Sequence, residues 1–147
     1  MTAIYDAPQV ETFLRKKLVG AQLDSFQVYS LLLNIDFLAA SDVGLQSCWL
    51  STLGDVWVSR NSANYRERSD VLVQLYQAIG QKVRDVTVEE NGGLRIHFGK
   101  WFLAVELNKV NFETVWALTP NSPDPTANHE WRVALTDEAE LIGSLPG

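Results

Sequence analysis

Apolar residues recur along this chain with two beats. From residue 10 the spacing is helical: Val10, Phe13, Leu14 and Leu18 share a face, Asp6 and Pro8 suit a helix start, and Gly20 suits a stop. After that glycine the beat shortens to two. Leu23, then Phe26 and Val28, alternate with polar residues and predict a half-buried strand. The same switch comes sixty positions later, where a helix starting near Ser69 or Asp70 sets Leu72, Leu75, Tyr76 and Ile79 on one face and stops at Gly80. Val83, Val86 and Val88 then alternate as Leu23, Phe26 and Val28 did.

Further strands are predicted in step. Second strands fall at "LLLNIDF" (Leu31 to Phe37) and "LRIHF" (Leu94 to Phe98), the latter entered through the tight-turn signal "EENGG". Third strands fall at "LQSCWL" and "WFLAVEL", and fourth strands at "DVWVS" and "ETVWAL". The expected fold is α+β: two similar halves, each a helix plus an antiparallel meander, over residues 8–60 and 69–119 of one compact 147-residue domain, with an extra C-terminal segment over 120–147. The shared letters are Gly20 with Gly80, Val28 with Val88, Ile35 with Ile96, Phe37 with Phe98 and Trp57 with Trp116, at offsets of 59 to 61. In the tail, "WRVAL" reads as a strand and "TDEAELI" as a short helix capped by Thr136.

Composition narrows the function classes. With 46% hydrophobic and 20% charged residues the chain is globular rather than disordered. No uncharged apolar run reaches the ~18 residues of a membrane span, the N-terminus lacks a signal-peptide pattern, and one cysteine, Cys48, forms no internal disulfide, so a cytoplasmic protein is expected. A net charge of −6 argues against a broad nucleic-acid surface. Much of that charge lies in the tail, where Asp124, Glu130, Asp137, Glu138 and Glu140 face one base, Arg132.

Candidate chemistry is sparse. His97 and His129 have no companion ligands at metal-binding spacing, so no metal and no cofactor is expected. Cys48 on a strand reads as a packing residue, and no Gly-x-Ser-x-Gly elbow or phosphate-cradling loop is present. The chain is therefore read as non-catalytic, with a small enzyme lacking a recognisable motif as a further alternative. Arg60, Arg66 and Arg68 beside Tyr65 form a basic segment, an alternative contact for single-stranded nucleic acid. Among the five tryptophans, Trp131 beside the acidic tail is the expected partner anchor.

The segments "LVGAQLDSFQV", "LNIDF" and "LQSCWL", answered by "AIGQKVRDVTV", "LRIHF" and "ETVWAL", resemble small bacterial immunity proteins of polymorphic or contact-dependent toxin systems, over residues 12 to 118. The resemblance implies inhibition of a basic, cytoplasm-acting toxin by occlusion of its cleft, with Asp124, Glu130, Asp137, Glu138 and Glu140 mimicking phosphate and Trp131 as apolar anchor. It carries over no functional residue. A homodimer through exposed sheet edges stays open.

Overall fold

The computed structural model describes residues 2–41, 44–107, 113–122 and 130–146. In chain order the elements are β1 (Ala3–Tyr5), α1 (Ala7–Leu18), β2 (Gln22–Val28), β3 (Leu33–Ser41), β4 (Gly44–Thr52), β5 (Asp55–Arg60) and β6 (Ala63–Tyr65). Then come α2 (Arg68–Ala78), β7 (Asp85–Val88), β8 (Leu94–His97), β9 (Phe102–Glu106), β10 (Thr114–Pro120), β11 (Arg132–Thr136) and β12 (Leu141–Ser144). All strand pairings are antiparallel, in sheets ordered β1-β12-β11-β10-β4-β3-β2 and β6-β5-β9-β8-β7. The chain is thus an α+β fold.

The two halves exchange their fourth strands. β2, β3 and β4 form a meander in the first sheet, but β5 crosses over and pairs with β9; β7, β8 and β9 form a meander in the second sheet, and β10 crosses back to pair with β4. The first crossing is tight. Leu53 and Gly54 both donate their N–H to Val115 O, at 2.8 and 3.0 Å. A Cβ on Gly54 would lie 2.6 Å from Val115 Cγ1 and 2.7 Å from Glu106 O, so only glycine fits where the strands touch.

The repeated glycine has a physical role at the seam between the halves. Gly20 and Gly80 end their helices with φ of 89° and 92°, a region costly for any residue with a Cβ. Each then bonds to the other half: Gly20 N–H donates to Val83 O and Gly80 N–H to Leu23 O, while Leu23 N–H donates to Gln81 O and Val83 N–H to Ala21 O. Adding or subtracting sixty converts each bond into its mate. A lone antiparallel bridge, Gln22 with Lys82, sits between them. The two helix-to-strand junctions therefore clasp each other about a local twofold.

Ladder pairs also correspond between the halves, at offsets that shift from sixty where the connections differ in length. Val28 opposes Leu33 as Val88 opposes Leu94, and Ile35 opposes Leu50 as Ile96 opposes Leu103. The tryptophans break this correspondence. Trp116 opposes Thr52, whose counterpart Val105 opposes Val56, so Trp116 matches Val56 rather than Trp57. One residue of slip turns a side chain to the opposite face. Trp116 is fully buried and donates Nε1 to Gly92 O at 2.9 Å, whereas Trp57 lies on the outer face of the second sheet.

One apolar cluster joins both sheets and both helices. α1 contributes Val10, Leu14 and Leu18, and full burial of such a side chain stabilises by about 1.5–3 kcal/mol. Its start is a capping box: Asp6 Oδ1 accepts from Gln9 N–H and Gln9 Oε1 from Asp6 N–H, both at 2.9 Å. α2 turns a different face inward than its spacing suggested. Val71, Gln74, Leu75 and Ala78 are buried, leaving Tyr76 71% and Ile79 45% exposed. Its apolar residues run around the cylinder, so periodicity alone does not select a face.

Three other local expectations change. The helix expected over residues 136–142 is instead the end of β11, a turn over residues 137–140 and the start of β12, because Thr136 exchanges backbone bonds with Glu140 and Ala139 and its hydroxyl accepts Glu140 N–H at 3.1 Å. The polar stretch after β5 forms a hairpin through Asn61 and Ser62, at φ of 54° and 65°, into β6. β1, not expected from the sequence, pairs with β12.

Candidate functional site

The acidic tail is divided by the strand it flanks. Glu130 precedes β11, while Asp137, Glu138 and Glu140 occupy the β11–β12 turn, about 15 Å away along a five-residue strand. Asp124 and His129 lie outside the described residues. Trp131 does not stand out as an anchor: it is 5% exposed, meets Phe13 edge-on at 5.1 Å, and lies under the Lys17 ammonium at 5.8 Å. Its ring is part of the wall between α1 and β11.

A different acidic grouping forms at the turn end of β11. The β1–α1 junction, the tip of the β7–β8 hairpin and the β11–β12 turn enclose a cleft of about 320 Å³. Asp6, Glu90 and Glu140 line it together with Ile4, Ala7, Pro8 and Leu141, and no basic side chain is among its lining residues. Glu90 reaches it because Asn91 and Gly92 close the hairpin, Glu89 N–H donating to Gly93 O and Gly92 N–H to Glu89 O. Gly92 is obligatory there: φ is 88°, and a Cβ would lie 2.2 Å from Leu135 Cδ1. Ile4, 69% exposed, adds an apolar edge. Asp6 and Glu90 escaped the sequence reading because they lie 84 residues apart and only the fold brings them together.

The basic segment is dispersed. Arg60 hydrogen-bonds Gln74 Oε1 at 3.3 Å and lies 5.7 Å above the Trp101 ring. Tyr65 packs against the core, and Arg68 turns to the β2–β3 connection, donating to Ser30 O at 3.0 Å and to Tyr29 O. Only Arg66 reaches the outer face of the second sheet, 4.4 Å above Trp57. There it meets Arg95, which stacks 4.8 Å from Phe102 and pairs with Glu89 at 2.9 Å. His97 shares this face, as its alternation with Ile96 and Phe98 implied, with Thr87 Oγ1 3.1 Å from Nε2. Burial, outweighing nearby Asp85, pulls His97 below the usual histidine range.

The remaining reactive side chains are quiet. Cys48 is buried, and burial, followed by the field of Asp36, pushes its thiol far above the ordinary range, so a thiolate is not available near neutral pH. Burial likewise raises Asp36, with the Ser47 hydroxyl opposing and Asp24 adding to the rise. Among the described residues no three His, Cys, Asp or Glu side chains converge as metal ligands. No helix among them is long and apolar enough to cross a membrane.

Comparison with family models, curated proteins and solved structures finds no match for this chain.

Proposed function

We propose that this chain is a non-catalytic protein-binding module of the cytoplasm that holds a basic partner at the Asp6–Glu90–Glu140 cleft. The cleft is the observation that carries the reading. Three acidic residues from three segments line it beside an exposed isoleucine, and Asp137 and Glu138 are exposed in the same turn as Glu140. Such a surface gives fast, oriented association with a cationic protein and a modest apolar anchor. The partner class that fits best is a toxin with a basic cleft, covered and so neutralised as in an immunity pair. Arg60, Tyr65, Arg66 and Arg68 are not needed for this role, and neither is catalysis.

Co-purification tests it. Tagged chain is expected to retain a basic protein from its native cells at low salt, to lose it at high salt, and to lose it when Glu90, Asp137 and Glu140 are all changed to Lys. Equal capture by that triple variant would remove the cleft from the account. A second reading rests on the outer face of the second sheet, where Arg66 and Arg95 stack on Trp57 and Phe102. Salt-sensitive binding of a single-stranded oligonucleotide, abolished by Arg66→Ala, would favour it.

A further inference from the structure

Among the described residues four strands form sheet edges: β1 and β6, of three residues each, and β7 and β2. An exposed edge invites pairing unless it is short, covered or charged. β7 is covered, since the N–H groups of Val86 and Val88 donate to Asp85 Oδ1 and Glu11 Oε1 at 2.8 and 3.0 Å. β2 is not. The Tyr29 N–H to Leu32 O bond turns Tyr29 toward β3, so by alternation the N–H groups of Phe26 and Val28 point outward, where no side chain of the described residues caps them. The bulge between Leu23 and Ser25 leaves Ser25 to Val28 as the flat part of this edge.

α2 runs beside β2 in the opposite direction. Arg68 at its start donates to Tyr29 O and Ser30 O, and Gly80 beyond its end donates to Leu23 O. Its outward side carries Val73, Tyr76 and Ile79, and the neighbouring strand connection carries Val28, Tyr29 and Leu31, all 45–71% exposed. No charged residue occurs from Val71 to Gln81, nor from Ser25 to Ile35. These six side chains expose on the order of 600 Å², at the top of what a monomer shows as one patch.

We infer that the β2 edge and the outward face of α2 form a twofold interface with a second copy of this chain. A twofold axis perpendicular to the sheet, passing by Gln27, sets Phe26 of each copy opposite Val28 of the other, so the uncapped N–H groups find carbonyl acceptors. The axis keeps both α2 helices on the same side of the joined sheet, where their uncharged faces meet. One operation therefore covers both the open backbone edge and the apolar stripe, whereas a single added peptide strand would cover the edge and leave the helix face bare. Two such patches together exceed the ~1,000 Å² that a specific interface requires.

Sedimentation of the full chain tests this. At about 100 μM the chain is expected to run as a dimer of twice 16.5 kDa. Val28→Lys and Tyr76→Glu, at exposed positions, are each expected to weaken the dimer at least ~10-fold, with unchanged circular dichroism, while Thr12→Glu on the exposed side of α1 has no effect. A second readout separates lost association from lost folding: with Tyr76→Cys, whose thiol is exposed whereas Cys48 is buried, a short bismaleimide should link two copies, and Thr12→Cys should not. A monomer at every concentration, or a dimer unmoved by Val28→Lys and Tyr76→Glu, would overturn the inference.

Discussion

The α1–β7 and α2–β2 junctions occupy corresponding places in the two halves and are finished in opposite ways. Matching the buried pairs Val10 with Val71 and Leu14 with Leu75 sets Glu11 against Leu72 and Arg15 against Tyr76. At α1 those positions seal the edge: Glu11 caps Val88 N–H, and Arg15 bridges Asp85 at 2.9 Å and Glu11 at 3.4 Å. At α2 they are apolar, and Ser25 stands where β7 has Asp85. Inward residues keep a shared scaffold, while the outward ones decide whether an edge is closed or offered. The difference lies at three positions, two on the helix and one on the strand.

Breaking the shared scaffold should have the largest effect. Gly20→Ala and Gly80→Ala meet no neighbour within 4 Å, so each should cost only the backbone strain of its positive φ, about 1–2 kcal/mol. Chemical denaturation should find the two costs within about 0.5 kcal/mol of each other. A large inequality would mean that the two seams are not equivalent.

Opening the sealed edge comes next. Glu11→Ala leaves Val88 N–H without its carboxylate and should cost about 1 kcal/mol in the same assay, most of it from the lost hydrogen bond, since the partly exposed Arg15 pair adds little. It should also make the β7 edge sticky, seen as new self-association that Tyr76→Glu does not remove. The smallest effect is on pH. The Val86 N–H bond, followed by Arg15, holds the Asp85 carboxyl below its usual range. Its contribution is therefore present above the ordinary aspartate value of 3.8 and is lost as pH falls through the depressed folded value. Asp85→Asn should flatten the acid limb of the stability curve by under ~0.5 kcal/mol, because half of this side chain is exposed.

The local alternation of residues carried much of the architecture. Both helices, the meander strands and the inward sets Leu33–Ile35–Phe37 and Leu94–Ile96–Phe98 follow from period alone. Exchange of the fourth strands did not, because a strand's pattern states which face is buried but not which sheet it joins. The Trp57–Trp116 match illustrates the same limit, since identical letters one register apart point to opposite faces. The acidic tail was visible as composition, yet its useful neighbours, Asp6 and Glu90, come from other segments. Trp131 looked like an anchor because sequence gives no account of Phe13 and Lys17 folding over it.

Amide hydrogen exchange followed at two protein concentrations tests the contrast between the edges most directly. Val88 N–H, capped within its own chain, should be equally protected at about 1 μM and about 500 μM, while Phe26 and Val28 N–H should exchange freely at the lower and become protected at the higher. Protection of Phe26 and Val28 that does not change with concentration, whether high or absent, would contradict the account.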